Sequence, residues 1–154
     1  MGHFASGVVV VTAMDGSQPV GMTVQSFASL SLDPPLCLLC PAKSSTSWPR
    51  IIRSGRFVIN VLGAEHRDLS RQFAVSGGDK FRDVRWTASP ASGSPVIDRA
   101  IAWLECKSSA IHDGGDHHVA IASVVDARIS QEENVAPLIF FRGTFGAFTV
   151  RPGQ

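Results

Sequence analysis

Charge is scarce in this sequence, and neither sign dominates. Asp, Glu, Lys and Arg make up 18% of the chain, the formal net charge is +1, and no stripe of Lys or Arg appears. A nucleic-acid surface therefore has no electrostatic basis. Cysteine is scarce too, and Cys37, Cys40 and Cys106 are too few and odd in number for a disulfide scaffold. Cys37 and Cys40 form a C-x-x-C within "PPLCLLCP", an apolar run that reads as a strand. Residues three apart on a strand point to opposite faces, so the sulfurs are expected to diverge as core cysteines. Long apolar runs are also missing. The opening "MGHFASGVVVVTAMDG" turns polar at Asp15, too soon to span a membrane, and carries no basic leader. No membrane is expected as a partner, and the cytoplasm is the expected location. No G-x-G-x-x-G, G-x-S-x-G or G-x-x-x-x-G-K-[ST] occurs, which disfavours a Rossmann fold, a serine hydrolase elbow and a nucleoside-triphosphate loop.

Strand signals fill most of what is present. Runs rich in β-branched residues lie at 7–14, 20–32, 35–41, 57–62, 102–112, 117–129 and 137–148. Turn chemistry separates them: "DGSQP", "LDPP", "DGGD" and "EENVAP". Asp15-Gly16 signals a hairpin, with a loop that reads as longer than two residues. Two segments read as helices. "SSTSWPRIIRSG" has capping hydroxyls, tolerates Pro49 in its first turn and stops at Gly55, while "AEHRDLSRQFA" sets Leu69 and Phe73 four apart. The 154 residues suit a single domain over 1–154. Seven short strands, two small helices and no βαβ alternation predict a mainly β, antiparallel barrel with short helical insertions.

Three polar stretches could carry chemistry. "GMTVQSFASLSLDPP" sets Thr23, Gln25, Ser26, Ser29 and Ser31 among apolar neighbours. Period two puts Thr23 and Gln25 on one face and Val24 and Ser26 on the other, provided no bulge intervenes. Such a strand suits a flat polar heterocycle lying against the sheet, or simply a solvent-facing edge. "KSSTSWPR" packs four hydroxyls ahead of a helix beside Lys43 and Arg50, the makings of a phosphate site. Capping alone would need only one of the four. In "HDGGDHHV", His112, Asp116, His117 and His118 are metal-ligand types. Adjacent His117 and His118 point to opposite faces, and no distant cluster completes a set, so no metal site is expected. One histidine at the strand mouth, His117 or His118, remains a candidate hydrogen-bond partner for a ligand.

Taken together, "FASGVVVVTA", "GMTVQSFASLSLDPPL", "KSSTSW", "SGRFVINVL", "DKF", "GSPVID", "LEC", "HDGGDHHVAIASV" and "PLIFFRG" occur in the order seen in short-chain flavin reductases. The chain resembles that family from Phe4 to about Phe148. The resemblance implies the flavin-binding split-barrel fold and the role of reductase component in a two-component flavin-dependent monooxygenase. Within the family it looks like the reductases paired with hydroxylases of phenolic and steroid-derived aromatic rings. It implies hydride transfer from NADH to FMN or FAD, and reduced flavin handed to a partner oxygenase. NADPH is disfavoured, because no arginine pair awaits a 2′-phosphate. A homodimer is also implied.

By the same resemblance, Thr23, Val24, Gln25, Ser26 and Phe27 hold the flavin, with Ser29 and Leu30 just beyond. The loop Ser44, Ser45, Thr46, Ser47, Trp48 and Arg50 holds the phosphate and ribityl chain, and Phe81 of "DKF" joins the cofactor set. His117 of "GDH" lies near the nicotinamide as an orienting partner, and Arg142 and Gly143 of "FFRG" shape the dinucleotide site. The sequence departs from the family at two places. It starts almost on Phe4, where the family usually has a helix first, so barrel-end cover or dimer contacts are expected to be reduced. His118 stands where an apolar or aromatic residue is common. The competing readings are a split-barrel module that binds flavin or haem without turnover, and a pyridoxamine-phosphate-oxidase-like activity.

Overall fold

A computed structural model of the chain describes residues 2–132 and 135–148. Its strands are β1 Ser6–Gly7, β2 Val9–Asp15, β3 Gln18–Val24, β4 Ala28–Leu32, β5 Pro35–Leu39 and β6 Arg56–Val61. They continue with β7 Trp86–Ala88, β8 Pro95–Ile97, β9 Ala102–Gly114, β10 His117–Ile129, β11 Leu138–Phe141 and β12 Thr144–Ala147. Helix α1 spans Trp48–Arg53, and α2 spans Arg67–Ala74 after a 3₁₀ turn at Ala64–His66.

The main sheet has seven strands in the order β3-β2-β6-β9-β10-β5-β4. β3 and β4 follow one another in the chain yet sit at opposite edges. The sheet must therefore curl until its edges approach, with Gln25–Phe27 bridging the gap. One core shows the curl directly: Val11 of β2, Met22 of β3, Leu39 of β5, Ile59 of β6, Cys106 of β9 and Ala120 of β10 share a single buried cluster. Helix α1 plugs that cluster with Trp48 and Ile51. β2 is buried on both faces, because Val10 turns outward into a second cluster with Leu62, Phe73, Ile97 and Leu138. That is why its sequence reads as an unbroken apolar run rather than an alternating one. The mainly β antiparallel barrel with short helices is as expected.

Four details differ from expectation. The segment 20–32 is two strands, because the chain leaves one sheet edge after Val24 and joins the other at Ala28. Period two therefore stops at Val24 and does not position Gln25 and Ser26. The Asp15-Gly16 loop has two residues, since Asp15 pairs with Gln18. Gly16 adopts φ 63°, which a tight primed hairpin turn demands of its first central residue. The segment 137–148 is a hairpin, β11 and β12, turned by Arg142 and Gly143 at φ 50° and 79°. It forms a separate three-stranded sheet with β1. Strands β7 and β8 are three residues each, too short to show a period.

Buried polar groups pin the outer pieces to the barrel. Asn60 is fully buried; its Nδ2 donates to Val10 O at 3.1 Å and its Oδ1 accepts from Ile97 N at 2.8 Å. Cys37 and Cys106 face each other in the core with sulfurs 3.8 Å apart, whereas Cys40 lies beyond the end of β5. Cys40 is half-buried and lies past the strand, so the strand period expected to separate the two sulfurs does not reach it, and of the pair Cys37 alone is a core residue. β10 lies between β5 and β9, so the Cys37 and Cys106 backbones are second neighbours, about 9–10 Å apart by ladder spacing. A disulfide cannot reach that far.

Candidate functional site

The barrel opens along its seam. β3 ends at Val24, and Ser26 then reaches across to the chain leaving β5: its Oγ accepts from Cys40 N at 2.9 Å and donates to Cys40 O at 3.1 Å. Here ladder hydrogen bonds give way to a side-chain stitch. Beside it lies a cavity of about 690 Å³, within the range of small-molecule sites.

Three expected stretches converge on this cavity. Thr23, Val24, Gln25 and Ser26 line one wall, Ser44 to Ser47 a second, and His117 a third. Thr23 is anchored by its hydroxyl, which donates to Ser70 O of α2 at 2.6 Å. Of the four hydroxyls before α1, Ser45 does the capping, accepting from Trp48 N at 3.2 Å. Ser47, at the N-cap position, makes no cap bond with its side chain. Ser44, Ser45, Thr46 and Ser47 all line the cavity, and Ser47 Oγ accepts from Lys80 Nζ at 3.1 Å.

The β9–β10 hairpin brings His117 to the wall. Its turn is closed by Gly115 at φ 81°, and an isolated bridge pairs His117 with Ala42. His117 Nδ1 contacts Asp116 Oδ1 at 2.7 Å, and that hydrogen bond holds the Asp116 carboxyl below its ordinary range. Between the two neighbouring histidines the structure decides: His117 lines the cavity, and His118 does not. Among the described residues, no three His, Cys, Asp or Glu side chains gather as a metal set.

Other expected residues fall elsewhere. Phe27 packs on the core and lies outside the cavity lining. Ser29 and Leu30 are exposed on edge strand β4 and also lie outside it. Trp48 is 3% exposed and packs edge-on against Phe57, so it anchors the loop from inside the core. Arg50 and Phe81 line an adjoining cavity of about 450 Å³. Arg50 Nε is bonded to Asp15 Oδ2 at 2.7 Å. Arg142 and Gly143 turn the β11–β12 hairpin, with Arg142 N donating to Gly2 O at 2.8 Å, and line neither cavity.

Lys80 is the residue that sequence reasoning missed. It lines both cavities, and its Nζ donates to Ser47 Oγ and Phe73 O at 3.1 Å and to Gly21 O at 3.2 Å. Burial pulls its pKa below the ordinary lysine value. What makes Lys80 matter is Phe73, whose ring lies so close to β3 that a Cβ on Gly21 would sit 2.5 Å from it. That approach lets the end of α2 and Lys80 meet β3.

The chemistry of this wall fits a flavin. Polar groups at the end of β3 suit the heterocycle, and Thr46, Ser47 and the Lys80 ammonium suit a phosphate. Comparison with known proteins agrees: residues 1–149 match the flavin reductase like domain.

The chain belongs to the flavin reductase family.

Within the family it is 44% identical over 145 residues to the reductase subunit HsaB of a flavin-dependent monooxygenase from Rhodococcus jostii, covering 94% of this chain and 73% of that protein. The structure of the nitrilotriacetate monooxygenase component B homologue from Mycobacterium thermoresistibile superposes with a TM-score of 0.93 at 40% identity, covering 99% of this chain and 87% of that one. The Streptomyces globisporus NADH:FAD oxidoreductase SgcE6, solved with NAD and FAD fragments, gives a TM-score of 0.89 at 37% identity over 99% of this chain and 89% of that one. The split-barrel fold implied by the resemblance is thus the fold observed.

Proposed function

We propose that this protein is an NADH-dependent flavin reductase that supplies reduced FMN or FAD to a partner oxygenase acting on an aromatic substrate. One observation carries the reading. The end of β3, the hydroxyl loop with Lys80, and His117 line a single cavity of about 690 Å³. The two dinucleotides supply the redox chemistry, a hydride passing from nicotinamide to flavin, and the chain's task is to hold and orient them.

Thr46 and Ser47 hold the phosphate end by hydrogen bonds, and Lys80, whose three donors go to Ser47, Phe73 and Gly21, adds its positive charge beside them. β3 is an edge strand, so backbone N–H groups at its end can face a ligand and favour the negative charge that hydride arrival brings to the heterocycle. His117, kept in place by Asp116, orients the nicotinamide, and no side-chain proton is needed for the hydride step. Holding both reactants in register accounts for as much as ~7–11 kcal/mol of barrier lowering in well-oriented systems. The protein is proposed to work in the cytoplasm as a homodimer. Among the described residues, no helix is long and apolar enough to cross a membrane.

The test is steady-state loss of NADH absorbance with FMN and FAD titrated separately, in wild type and His117→Ala. Flavin-saturable turnover, with a raised KM for NADH in the variant, supports the reading. Flavin binding with no flavin-dependent NADH oxidation defeats it.

A further inference from the structure

The end of the β9–β10 hairpin projects past both neighbouring strands. β6 pairs with β9 only as far as Lys107, and β5 pairs with β10 only over Ala120–Ser123. That end carries the turn 113–116 and then His117, so other contacts must set its place at the cavity wall. Pro41 O accepts from His118 N at 2.9 Å, and the bridge between Ala42 and His117 holds the start of β10. Lys43 holds the turn itself. Its backbone N donates to Asp116 O at 2.9 Å, and its Nζ donates to Asp113 Oδ2 at 2.7 Å. Asp113 passes that hold into the turn, because its Oδ1 accepts from Gly115 N at 3.0 Å. The next residue after Lys43, Ser44, begins the hydroxyl wall of the cavity. Among the described residues, the Lys43–Asp113 bond is the only side-chain hydrogen bond between the loop 41–47 and this turn. Neither residue lines the larger cavity, so the pair acts on the site from outside.

We infer that Lys43 and Asp113 are positioning residues for hydride transfer: their ion pair fixes His117, at the nicotinamide, relative to the hydroxyl loop that holds the flavin. The inference rests on the flavin reductase reading of the cavity. Both side chains are exposed, and an exposed pair adds little to stability. Reaction geometry is more sensitive, since a misplacement of about an ångström can cost roughly a hundredfold in rate. A purely Coulombic role for Lys43, drawing in the anionic NADH, makes the opposite prediction at Asp113. Removing that negative charge would then lower KM for NADH, whereas loosening the turn raises it.

The experiment measures kcat and KM for NADH at saturating FMN or FAD, flavin Kd by fluorescence, and Tm. It uses the full chain as wild type, Lys43→Met, Asp113→Asn, the double variant and Lys43→Arg. Each single variant is expected to raise KM for NADH and lower kcat/KM about tenfold. Tm and flavin affinity are expected to stay near wild type, because the loop keeps its own anchors, Ser45 on Trp48 N and Ser47 on Lys80. The double variant is expected to be no worse than either single, since all three lose the same interaction. Lys43→Arg keeps the pair and is expected to retain activity. A lowered KM in Asp113→Asn overturns the inference in favour of direct attraction of NADH. Single effects that add in the double variant overturn it too, as does a loss confined to flavin affinity or one that tracks a fall in Tm. Absence of flavin-dependent NADH oxidation in wild type overturns the flavin reductase reading, and the inference with it.

Discussion

Ser26 and Cys40 exchange two hydrogen bonds across the barrel seam: Cys40 N donates to Ser26 Oγ at 2.9 Å, and the hydroxyl donates to Cys40 O at 3.1 Å. Both residues also line the large cavity, so one hydroxyl both closes the barrel and shapes the site. Ser26→Ala leaves the half-buried Cys40 amide without its partner, at an expected cost of about 1–3 kcal/mol. Chemical denaturation should show that loss, and flavin titration of the folded variant should show weakened binding. Unchanged stability and affinity would mean that the stitch has no energetic role.

Lys80 should give opposite pH signatures in binding and in stability. Its pKa lies below the lysine value because burial opposes the charged form. A phosphate needs the ammonium, so FMN affinity is expected to fall as pH rises through that lowered pKa. Stability runs the other way: between the folded and unfolded pKa values the unfolded chain binds more protons, so folding gains as pH rises. Lys80→Met is expected to weaken FMN binding about ten- to hundredfold at neutral pH, with riboflavin much less affected. Lys80→Arg should hold FMN affinity to higher pH. Fluorescence titrations across pH, paired with thermal melts, check both arms.

Gly21→Ala tests the approach of α2 to the barrel. The added Cβ would sit 2.5 Å from the Phe73 ring, and the Gly21 carbonyl accepts from Lys80. Phe73 is fully buried and cannot swing away, so an overpacking cost of about 1–3 kcal/mol is expected. A lowered Tm together with weaker flavin binding would fit; a variant with wild-type Tm would show that α2 is not held as tightly as its geometry requires.

Glu105 is a buried acid held by the 89–94 loop. Burial pushes its carboxyl up, but hydrogen bonds from Ser92, Ser89 and Ala91 outweigh that and leave it below the ordinary carboxylate value. A lowered acid contributes stability that is present above its unfolded pKa and is lost as pH falls through the folded value. Thermal melts on the acid side should therefore show a loss that Glu105→Gln lacks. At neutral pH the same variant is expected to be about 1–3 kcal/mol less stable, because its hydrogen bonds are no longer charge-assisted.

Much of the site was legible as composition. The hydroxyls of "KSSTSWPR" exceed what capping needs: all four residues line the cavity, while Ser45 alone of them caps Trp48 N. The polar end of the second strand was legible too, but its face assignment was not. Period two holds only within a strand, and the chain leaves β3 at Val24 to cross the seam. Lys80 was invisible for a different reason. A lysine next to a Gly-Gly turn looks solvated, and only its three bonds to Ser47, Phe73 and Gly21 reveal a wall residue.

By itself the sequence determined the secondary-structure class, the hairpin signals and, through ordered motifs, the family. All of these are local in the chain: side-chain periodicity, turn preference and short-range spacing. Tertiary structure alone decided which edges of the sheet meet, that His117 rather than His118 lines the larger cavity, and that Arg142 lies outside that lining. These depend on the strand order β3-β2-β6-β9-β10-β5-β4, which sets residues far apart in sequence across one seam. No local period encodes that order, because it follows from how a twisted sheet buries both faces of β2 at once.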